Sequence, residues 1–182
     1  MSYTIQTMIT REEVEARIKA LAKQIEEEYR EKKEIILIGL LKGSVLFMTD
    51  LMKEMDLDIK IDFMSVSSYG SGTTTTGVVK ILKDVDFDVK GKELLIVEDI
   101  IDTGLTLKYV QEFLYAKGAK EIKVCTLLDK PERRKTEIKG DHLSNWIQHC
   151  EAATPKALSP FRLSHDCEVY VRFVVRSKRP RT

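Results

Sequence analysis

The sequence predicts an α/β protein in which helices flank a mainly parallel sheet. Short segments that are apolar after a leading glutamate, such as 34–40 and 93–97, have the composition of strands that are buried on both faces. Segments with the periodicity of amphipathic helices alternate with these strands, and the connections between them are short. With 182 residues and 43% hydrophobic content, the chain is expected to form a single domain over residues 1–182.

Helical and extended segments follow one another in a regular order. The predicted elements are a helix over 11–30, a strand over 34–40, a helix after 43, strands over 58–66, 78–83 and 93–97, a helix from about 103 to Gly118, and a strand over 121–130. Thr10 and Glu13 form a capping-box pattern at the start of the first helix. Gly118 is expected to end the third helix in the left-handed conformation. Sheets of this kind bind ligands at the carboxyl ends of their strands.

Two apolar patterns predict which faces of these elements are buried. One face of the second helix is expected to pack in the core through Val45, Met48, Met52 and Met55. One face of the strand over 58–66 is expected to be covered through Ile59, Ile61 and Phe63. The run SSYGSGTTTTG that follows this strand is too rich in small and hydroxyl residues to form a core, so a mobile excursion is expected there.

The composition excludes several classes of partner and setting. Lys and Arg number 30 against 29 Asp and Glu, so neither a nucleic acid nor an anionic membrane is expected as a partner. The N-terminus lacks a signal-peptide pattern, and no apolar run approaches the ~20 residues that span a bilayer. The cysteines Cys125, Cys150 and Cys167 contain no CxxC pair and leave one thiol unpaired in any disulfide scheme. The sequence therefore predicts a soluble, cytoplasmic protein.

The stretch ELLIVEDIIDTGLT carries the strongest functional signal. Glu98 and Asp99 follow an apolar strand, and two adjacent carboxylates repel each other unless a cation or hydrogen-bond donors lie between them. A ribose diol and Mg²⁺ would satisfy both carboxylates. The turn Asp102–Thr106 leads into a helix whose free N–H groups, two hydroxyls and a glycine can bind a phosphate. The alternative is a solvated strand end in which Asp102 or Thr103 is a plain N-cap.

Two lysines follow other apolar strands and are expected at the same edge of the sheet. Leu41, Lys42 and Gly43 come after the first buried strand, where a lysine and exposed amides can receive an anion. The alternative there is an ordinary strand-to-helix turn. Lys130 follows the last strand, where its ammonium faces the same crevice, although a solvated lysine is the more common case.

These motifs together resemble those of one known family. LLIVEDIIDTGLT is similar to the phosphoribosyl-pyrophosphate motif of the type I phosphoribosyltransferases, and EDIIDTG is similar to their hypoxanthine–guanine branch. LIGLLKGSVLFM resembles the pyrophosphate loop of that branch, and TLLDKPERRK resembles the strand end with its base-recognition lysine. SVSSYG resembles the lid, which here comprises Ser68 and Tyr69; a hydroxyl and a phenol on a mobile loop can close over a bound anion. The alternative for the lid is a disordered polar loop.

The resemblance covers roughly residues 5–140 and implies both a fold and a reaction. The fold is a mainly parallel central sheet flanked by helices, with a small hood region. The reaction is Mg²⁺-dependent transfer of the 5-phosphoribosyl group from phosphoribosyl pyrophosphate to hypoxanthine or guanine. It gives IMP or GMP and pyrophosphate in purine salvage, and the resemblance implies a homodimer or homotetramer.

The resemblance also implies roles for individual residues. Asp102 would act as the general acid/base and Lys130 would bind the purine. The metal ligands would be Glu98 and Asp99. Phosphoribosyl pyrophosphate would be bound by Leu41, Lys42, Gly43, Glu98, Asp99, Thr103, Gly104, Leu105 and Thr106.

The resemblance stops near Leu143. The family's G-F-x-I-P segment, its purine-stacking F-V-V-G-Y-G-L-D-Y segment and its pyrophosphate-contacting arginine are not intact in residues 143–182, although RFVV (172–175) faintly echoes the stacking segment. An atypical C-terminal segment with an impaired purine wall is therefore expected. One hypothesis is a shifted reading frame, because possible codons for Asn145–His149, read one base later, give Ile-Gly-Phe-Asn-Ile.

The altered segment leaves a second function open. Residues 141–182 hold seven Lys and Arg against four Asp and Glu, and four of the basic residues lie in the last seven positions. A basic end can attract phosphates or RNA, whereas a solvated, frayed end is the more ordinary reading. The alternative function is thus a non-catalytic regulatory protein that binds phosphoribosyl pyrophosphate and contacts RNA.

Overall fold

The structure is a computed structural model that describes residues 4–7, 9–32, 34–68, 79–138, 140–143 and 172–175. Its elements are β1 (Thr4–Thr7), α1 (Arg11–Tyr29), β2 (Ile35–Leu41), α2 (Ser44–Lys53), β3 (Ile59–Ser68), β4 (Val79–Lys83), β5 (Glu93–Ile101), α3 (Leu105–Ala116), β6 (Glu121–Asp129), a 3₁₀ turn (Pro131–Arg133), β7 (His142–Leu143) and β8 (Arg172–Val175). The predicted alternation of strands and helices is confirmed.

The central sheet contains six of the described strands in the order β4-β3-β2-β5-β6-β7. β2 pairs in parallel with β3 and β5, β5 pairs in parallel with β6, and β6 pairs in parallel with β7. β4 runs antiparallel to β3. The chain leaves the adjacent strands β2 and β5 in opposite directions, toward β3 and toward β6. This topology creates a crevice at the carboxyl ends of β2 and β5, where open α/β sheets bind ligands.

Helices cover both faces of this sheet. On one face α1 and α2 pack over the strands, and their buried side chains include Ile18, Leu21, Met48 and Leu51. On the other face α3 packs through Leu107, Val110 and Leu114. Leu37 of β2 faces the first core, whereas Ile36 and Ile38 face the second. A strand covered on both sides has no position for a polar side chain, which explains why this segment is wholly apolar.

The buried face of α2 differs from the predicted one. Its buried residues are Ser44, Phe47, Met48 and Leu51. Val45 and Met52 are only partly buried, and Met55 is buried beyond the end of the helix. The Ser44 hydroxyl donates to the Leu40 carbonyl at 2.7 Å, which turns the first residue of the helix toward the sheet.

The covered face of β3 was also predicted wrongly at one position. Asp62 and Met64 are the buried side chains of its central part, whereas Ile61 is 48% exposed. Ile59 and Phe63 pack only partly against the core beneath α1 and α2. Ile61 lies on the same face of β3 as Ile59 and Phe63, so its exposure shows that the helices on this face do not cover it.

The predicted helix ends are confirmed. Glu13 N–H donates to the Thr10 hydroxyl at 3.2 Å, and Thr10 N–H donates to the Glu13 carboxylate at 2.7 Å. These two bonds form the capping box of α1. Gly118 follows α3 with a φ of 91°, in the left-handed region.

The two ends of the chain form a separate two-stranded sheet. β1 and β8 pair antiparallel, with Thr4 opposite Val175 and Thr7 opposite Arg172. A small region apart from the central sheet fits the expectation of a hood. In the described part of the chain, each helix is too short or too polar to cross a lipid bilayer.

Candidate active site

The adjacent acids Glu98 and Asp99 lie inside β5. The predicted strand end at residue 97 is wrong, because the parallel pairing with β6 continues through Glu98–Thr126, Ile100–Leu128 and Ile101–Asp129. Ile101 is only 2% exposed, so an apolar side chain anchors the strand beyond the two acids. The backbone of Glu98 and Asp99 is therefore fixed by the sheet.

Asp99 packs against the loop that follows β2. A Cβ atom built on Gly43 would lie 2.7 Å from Asp99 Oδ2 and 2.8 Å from Oδ1, so only glycine leaves room for this carboxylate. The contact brings two sequence-predicted site segments together across the crevice between β2 and β5. Lys42, in the same loop, is exposed, and the peptide bond that joins it to Leu41 is cis.

Glu98 belongs to a cavity on the α3 side of the sheet, away from Gly43. The cavity has a volume of about 200 Å³ and is lined by Leu40, Glu98, Ile100, Ile101, Asp102, Thr103, Gly104, Thr106 and Leu107. It thus collects Glu98 and most of the predicted phosphate turn in one place. Leu105 belongs to the same turn and is 37% exposed.

The two adjacent carboxylates differ in their partners, because Asp99 Oδ1 accepts a hydrogen bond from Ile100 N–H at 3.0 Å. Glu98 Oε2 is buried and has no hydrogen-bond partner. Burial raises the pKa of Glu98 well above its ordinary value, and the nearby Asp99 charge raises it further. Burial also raises the pKa of Asp99, against the opposing effect of its backbone hydrogen bonds. Such a site favours a cation or hydroxyl donors.

Replacing Glu98 by Gln is expected to stabilise the ligand-free protein at high pH. The pKa of Glu98 is raised in the folded state, so the free energy of unfolding falls as pH rises from the ordinary carboxyl range through the folded-state pKa. Gln removes this loss because it stays neutral. Thermal melts in EDTA from about pH 4 to 9 should show an advantage of the variant that grows with pH.

The matched control for this experiment is Glu112→Gln on α3, where the parent side chain is 65% exposed. It should melt like the parent across the pH range. A Glu98→Gln melting difference that does not change with pH would contradict the assigned cause.

The phosphate turn begins α3 through a glycine. Gly104 is the N-cap residue with a φ of 78°, and it makes no side-chain capping bond. The Thr103 hydroxyl accepts a long 3.4 Å bond from Leu105 N–H. Asp102 is therefore not a plain N-cap, and the first N–H groups of α3 lie beside the cavity. Unpaired N–H groups at a helix N-terminus bind anions.

Residues 130–136 follow β6 and contact the residues of this turn and the end of β5. We call these residues the strap. Lys130 N–H donates to the Ile101 carbonyl at 2.9 Å, and Lys135 N–H donates to the Thr103 carbonyl at 2.9 Å. Between these bonds, Arg133 Nε lies 3.0 Å from Asp102 Oδ1. Asp102 Oδ1 has no hydrogen-bond partner, so this contact is an ion pair whose geometry is not that of a hydrogen bond.

Arg134 and Thr136 complete the contact between the strap and the turn. Arg134 Nη2 donates to the Asp129 carboxylate, while Nη1 is buried without a hydrogen-bond partner. A Cβ atom on Gly104 would collide with Thr136 Oγ1 and would lie 3.3 Å from Arg134 Nη1. Gly104 is therefore required by its backbone conformation and also by its surroundings.

Sequence reasoning missed the arginines of the strap. The signal for them was the pair of arginines three and four residues after Lys130, but surface arginines in a PERRK run give no sign of what they contact. Lys130 itself is only 6% exposed, so the interpretation of a solvated lysine is wrong. Ser68 ends β3, whereas Tyr69 lies outside the described residues.

Comparison with known proteins finds relatives that are phosphoribosyltransferases. Residues 6–154 match the phosphoribosyl transferase domain family. The hypoxanthine phosphoribosyltransferase of Salmonella typhimurium is 50% identical over 139 residues, which are 76% of this chain and 78% of that protein. The hypoxanthine-guanine phosphoribosyltransferase of Bacillus subtilis is 48% identical over 134 residues, which are 74% of each chain.

Solved structures agree with these relatives. A crystal structure of a hypoxanthine-guanine phosphoribosyltransferase from Bacillus anthracis has a TM-score of 0.72 and 45% identity, covering 79% of this chain and 83% of that chain. A hypoxanthine phosphoribosyltransferase from Staphylococcus aureus has a TM-score of 0.72 and 41% identity, covering 76% and 74% of the two chains.

Proposed function

Because the chain belongs to the phosphoribosyltransferase family, in its hypoxanthine–guanine branch, we propose that it is a purine-salvage enzyme. It transfers the 5-phosphoribosyl group from phosphoribosyl pyrophosphate to hypoxanthine or guanine and gives IMP or GMP and pyrophosphate. The observation that carries this proposal is the cavity that joins Glu98, Asp102 and the N-terminus of α3. It offers carboxylates to a ribose and N–H donors to a phosphate.

The proposed binding mode divides phosphoribosyl pyrophosphate among three segments. The backbone N–H groups of Thr103–Thr106 bind the 5′-phosphate. Glu98 and Asp99 accept hydrogen bonds from the ribose hydroxyls, which satisfies the unpartnered Glu98 Oε2. The loop Leu41–Gly43, with exposed Lys42, receives the pyrophosphate. Catalysis then consists mainly of positioning the reactants and stabilising charge, because the leaving pyrophosphate is a highly charged anion.

Asp102 is the proposed general acid/base. It lines the cavity three residues after Asp99 and just before the phosphate turn. In this position it can exchange a proton with the five-membered ring of the purine as that ring gains its bond to C1 of the ribose. Lys130, at the end of β6, is proposed to recognise the purine 6-oxo group. Ser68 and Tyr69 are proposed to form the lid.

Mg²⁺ is the proposed metal, and Glu98 and Asp99 would hold it. Across the described ranges, no three His, Cys, Asp or Glu side chains are grouped as metal ligands. Two adjacent, partly buried carboxylates of raised pKa fit Mg²⁺, which takes one or two carboxylates and completes its shell with water and phosphate oxygens. The ion would neutralise negative charge on the pyrophosphate.

The remaining features of the proposal concern the setting of the enzyme. We propose a cytoplasmic homodimer or homotetramer that folds as one domain over 1–182, with an atypical segment from 143.

The rival function is a regulatory protein that binds phosphoribosyl pyrophosphate without turnover. Incubation with labelled hypoxanthine, phosphoribosyl pyrophosphate and Mg²⁺ distinguishes the two functions. Labelled IMP supports the enzyme, whereas binding without product supports the regulator.

The purine is expected to bind poorly compared with phosphoribosyl pyrophosphate. The residues proposed for phosphoribosyl pyrophosphate lie within 41–106, whereas the purine-stacking segment of the family is not intact in 143–182. Loss of one aromatic stack, worth ~1–3 kcal/mol in single-strand nucleic-acid binding, weakens binding by roughly ten- to a hundredfold. Calorimetry should show ordinary Mg²⁺-dependent binding of phosphoribosyl pyrophosphate and weak binding of hypoxanthine and guanine.

Tight purine binding in that experiment would contradict the expected impairment. It would mean that an aromatic residue of 143–182 rebuilds the purine wall. Sequencing of the coding DNA tests the frame hypothesis separately, since a shifted frame must restore a G-Y-G-L-D-Y run.

A further inference from the structure

We propose that Arg133 is a positioning residue that holds the Asp102 carboxylate in its catalytic orientation. The inference rests on the proposed function, because it assigns a role around the proposed general acid/base. It concerns the strap, in which Lys130 is the one side chain to which the proposed function gives a role.

The strap contacts three consecutive residues, Ile101, Asp102 and Thr103. Lys130 N–H bonds to the carbonyl of Ile101, and Lys135 N–H bonds to the carbonyl of Thr103, each at 2.9 Å. The residue between them, Asp102, meets Arg133 Nε at 3.0 Å. The two backbone bonds fix the peptide groups on either side of Asp102, and the ion pair with Arg133 restrains the carboxylate at its Oδ1 atom.

The contact engages one carboxylate oxygen and leaves the other side of the group accessible. Asp102 Oδ1 is buried, although the Asp102 side chain as a whole is 40% exposed. The exposed surface therefore belongs to the other atoms of the side chain. A carboxylate held through Oδ1 presents Oδ2 to a substrate N–H without a search over χ2 orientations.

The charges around Asp102 come from two directions. Arg133 and Arg134 approach from the strap, and Glu98 lines the same cavity on the side of β5. Arg134 is bonded to Asp129 through Nη2 and packs under Gly104. It therefore supports the turn, whereas Arg133, whose side chain is 42% exposed, makes the direct contact with Asp102.

The test compares Arg133→Gln with Arg133→Lys and with Lys60→Gln. Lys60 is an exposed residue at the start of β3, so its variant controls for the loss of one positive charge. Steady-state rates with hypoxanthine, phosphoribosyl pyrophosphate and Mg²⁺ give kcat and the KM for phosphoribosyl pyrophosphate. Melting temperatures establish that each variant is folded.

Arg133→Gln is expected to lower kcat by roughly ten- to a hundredfold, the loss that a small misplacement of a catalytic group produces. The KM for phosphoribosyl pyrophosphate should stay within about threefold, because Arg133 does not touch the phosphate turn's N–H groups. Arg133→Lys should restore only part of kcat, since an ammonium keeps the positive charge but lacks the planar guanidinium geometry.

Carbon-detected NMR of the Asp102 carboxyl carbon in the substrate-free protein supplies a readout that does not depend on turnover. Its chemical shift should change in Arg133→Gln and move back toward the parent value in Arg133→Lys. An unchanged kcat and an unchanged Asp102 carboxyl shift in Arg133→Gln would overturn the role of Arg133 while leaving the proposed function intact. Absence of product with the parent and with Lys60→Gln would instead overturn the proposed function, and the catalytic role of Arg133 with it.

Discussion

Replacing Asp102 by Asn should lower turnover by ~10²–10⁴-fold, the range that loss of a general acid/base produces. Asn keeps the size of the side chain but cannot accept a proton at neutral pH. The residues proposed to bind phosphoribosyl pyrophosphate are untouched by the change, so its dissociation constant should remain within a few-fold of the parent. Single-turnover rates and calorimetry measure these two quantities separately.

A matched variant checks that the loss is specific. Asp86→Asn also removes one carboxylate, from a side chain that is 80% exposed and pairs with Lys83. This variant should keep parent turnover. If Asp102→Asn likewise stays within a few-fold of the parent, proton transfer does not run through Asp102 and the mechanism must be revised.

Replacing Gly104 by Ala should weaken the binding of phosphoribosyl pyrophosphate by more than tenfold. Gly104 has a φ of 78°, where an L-residue is strained by about 1–2 kcal/mol. The new methyl group would also collide with Thr136 Oγ1 and come within 3.2 Å of Arg134 Cδ. The turn and the strap must then separate, which displaces the N–H groups proposed to bind the phosphate.

The Gly91→Ala variant introduces backbone strain without a steric collision, so it serves as the control for Gly104→Ala. Gly91 has a φ of 71°, but a Cβ atom there would meet nothing within 4 Å. The variant should lose the stability that backbone strain alone removes and should bind phosphoribosyl pyrophosphate as the parent does. Equal affinities of the Gly104→Ala and Gly91→Ala proteins, measured by calorimetry, would mean that the strap does not support the phosphate turn.

Local patterns made most of the fold predictable. The capping box of α1 and the left-handed Gly118 follow from short-range chemistry, and both are confirmed. The wholly apolar β2 follows from burial on two faces. Ile61 was predicted wrongly because alternation shows which side chains share a face, but it does not show how far a helix layer extends over the sheet.

The candidate site was predictable in its residues but not in its contacts. Glu98, Asp102 and Thr106 stand in one contiguous motif, and they line one cavity. The approach of Asp99 to Gly43 joins positions that lie 56 apart in the sequence (99 − 43), and it depends on β2 and β5 being neighbours. The ion pair of Arg133 with Asp102 likewise arises from tertiary packing. Single-sequence patterns carry no such distances.

The edges of the central sheet bear on how the protein behaves when it is concentrated. Among the described strands, β4 and β7 are outermost, and β7 is only two residues long. β4 carries Lys80 and Lys83 and pairs with β3 across an irregular register between Ser65 and Val66. Short edges, lysines and bulges all hinder the addition of a strand from another molecule. This sheet therefore resists the edge-to-edge association that leads to amyloid-like aggregates, although its interior strands are among the most apolar segments of the chain.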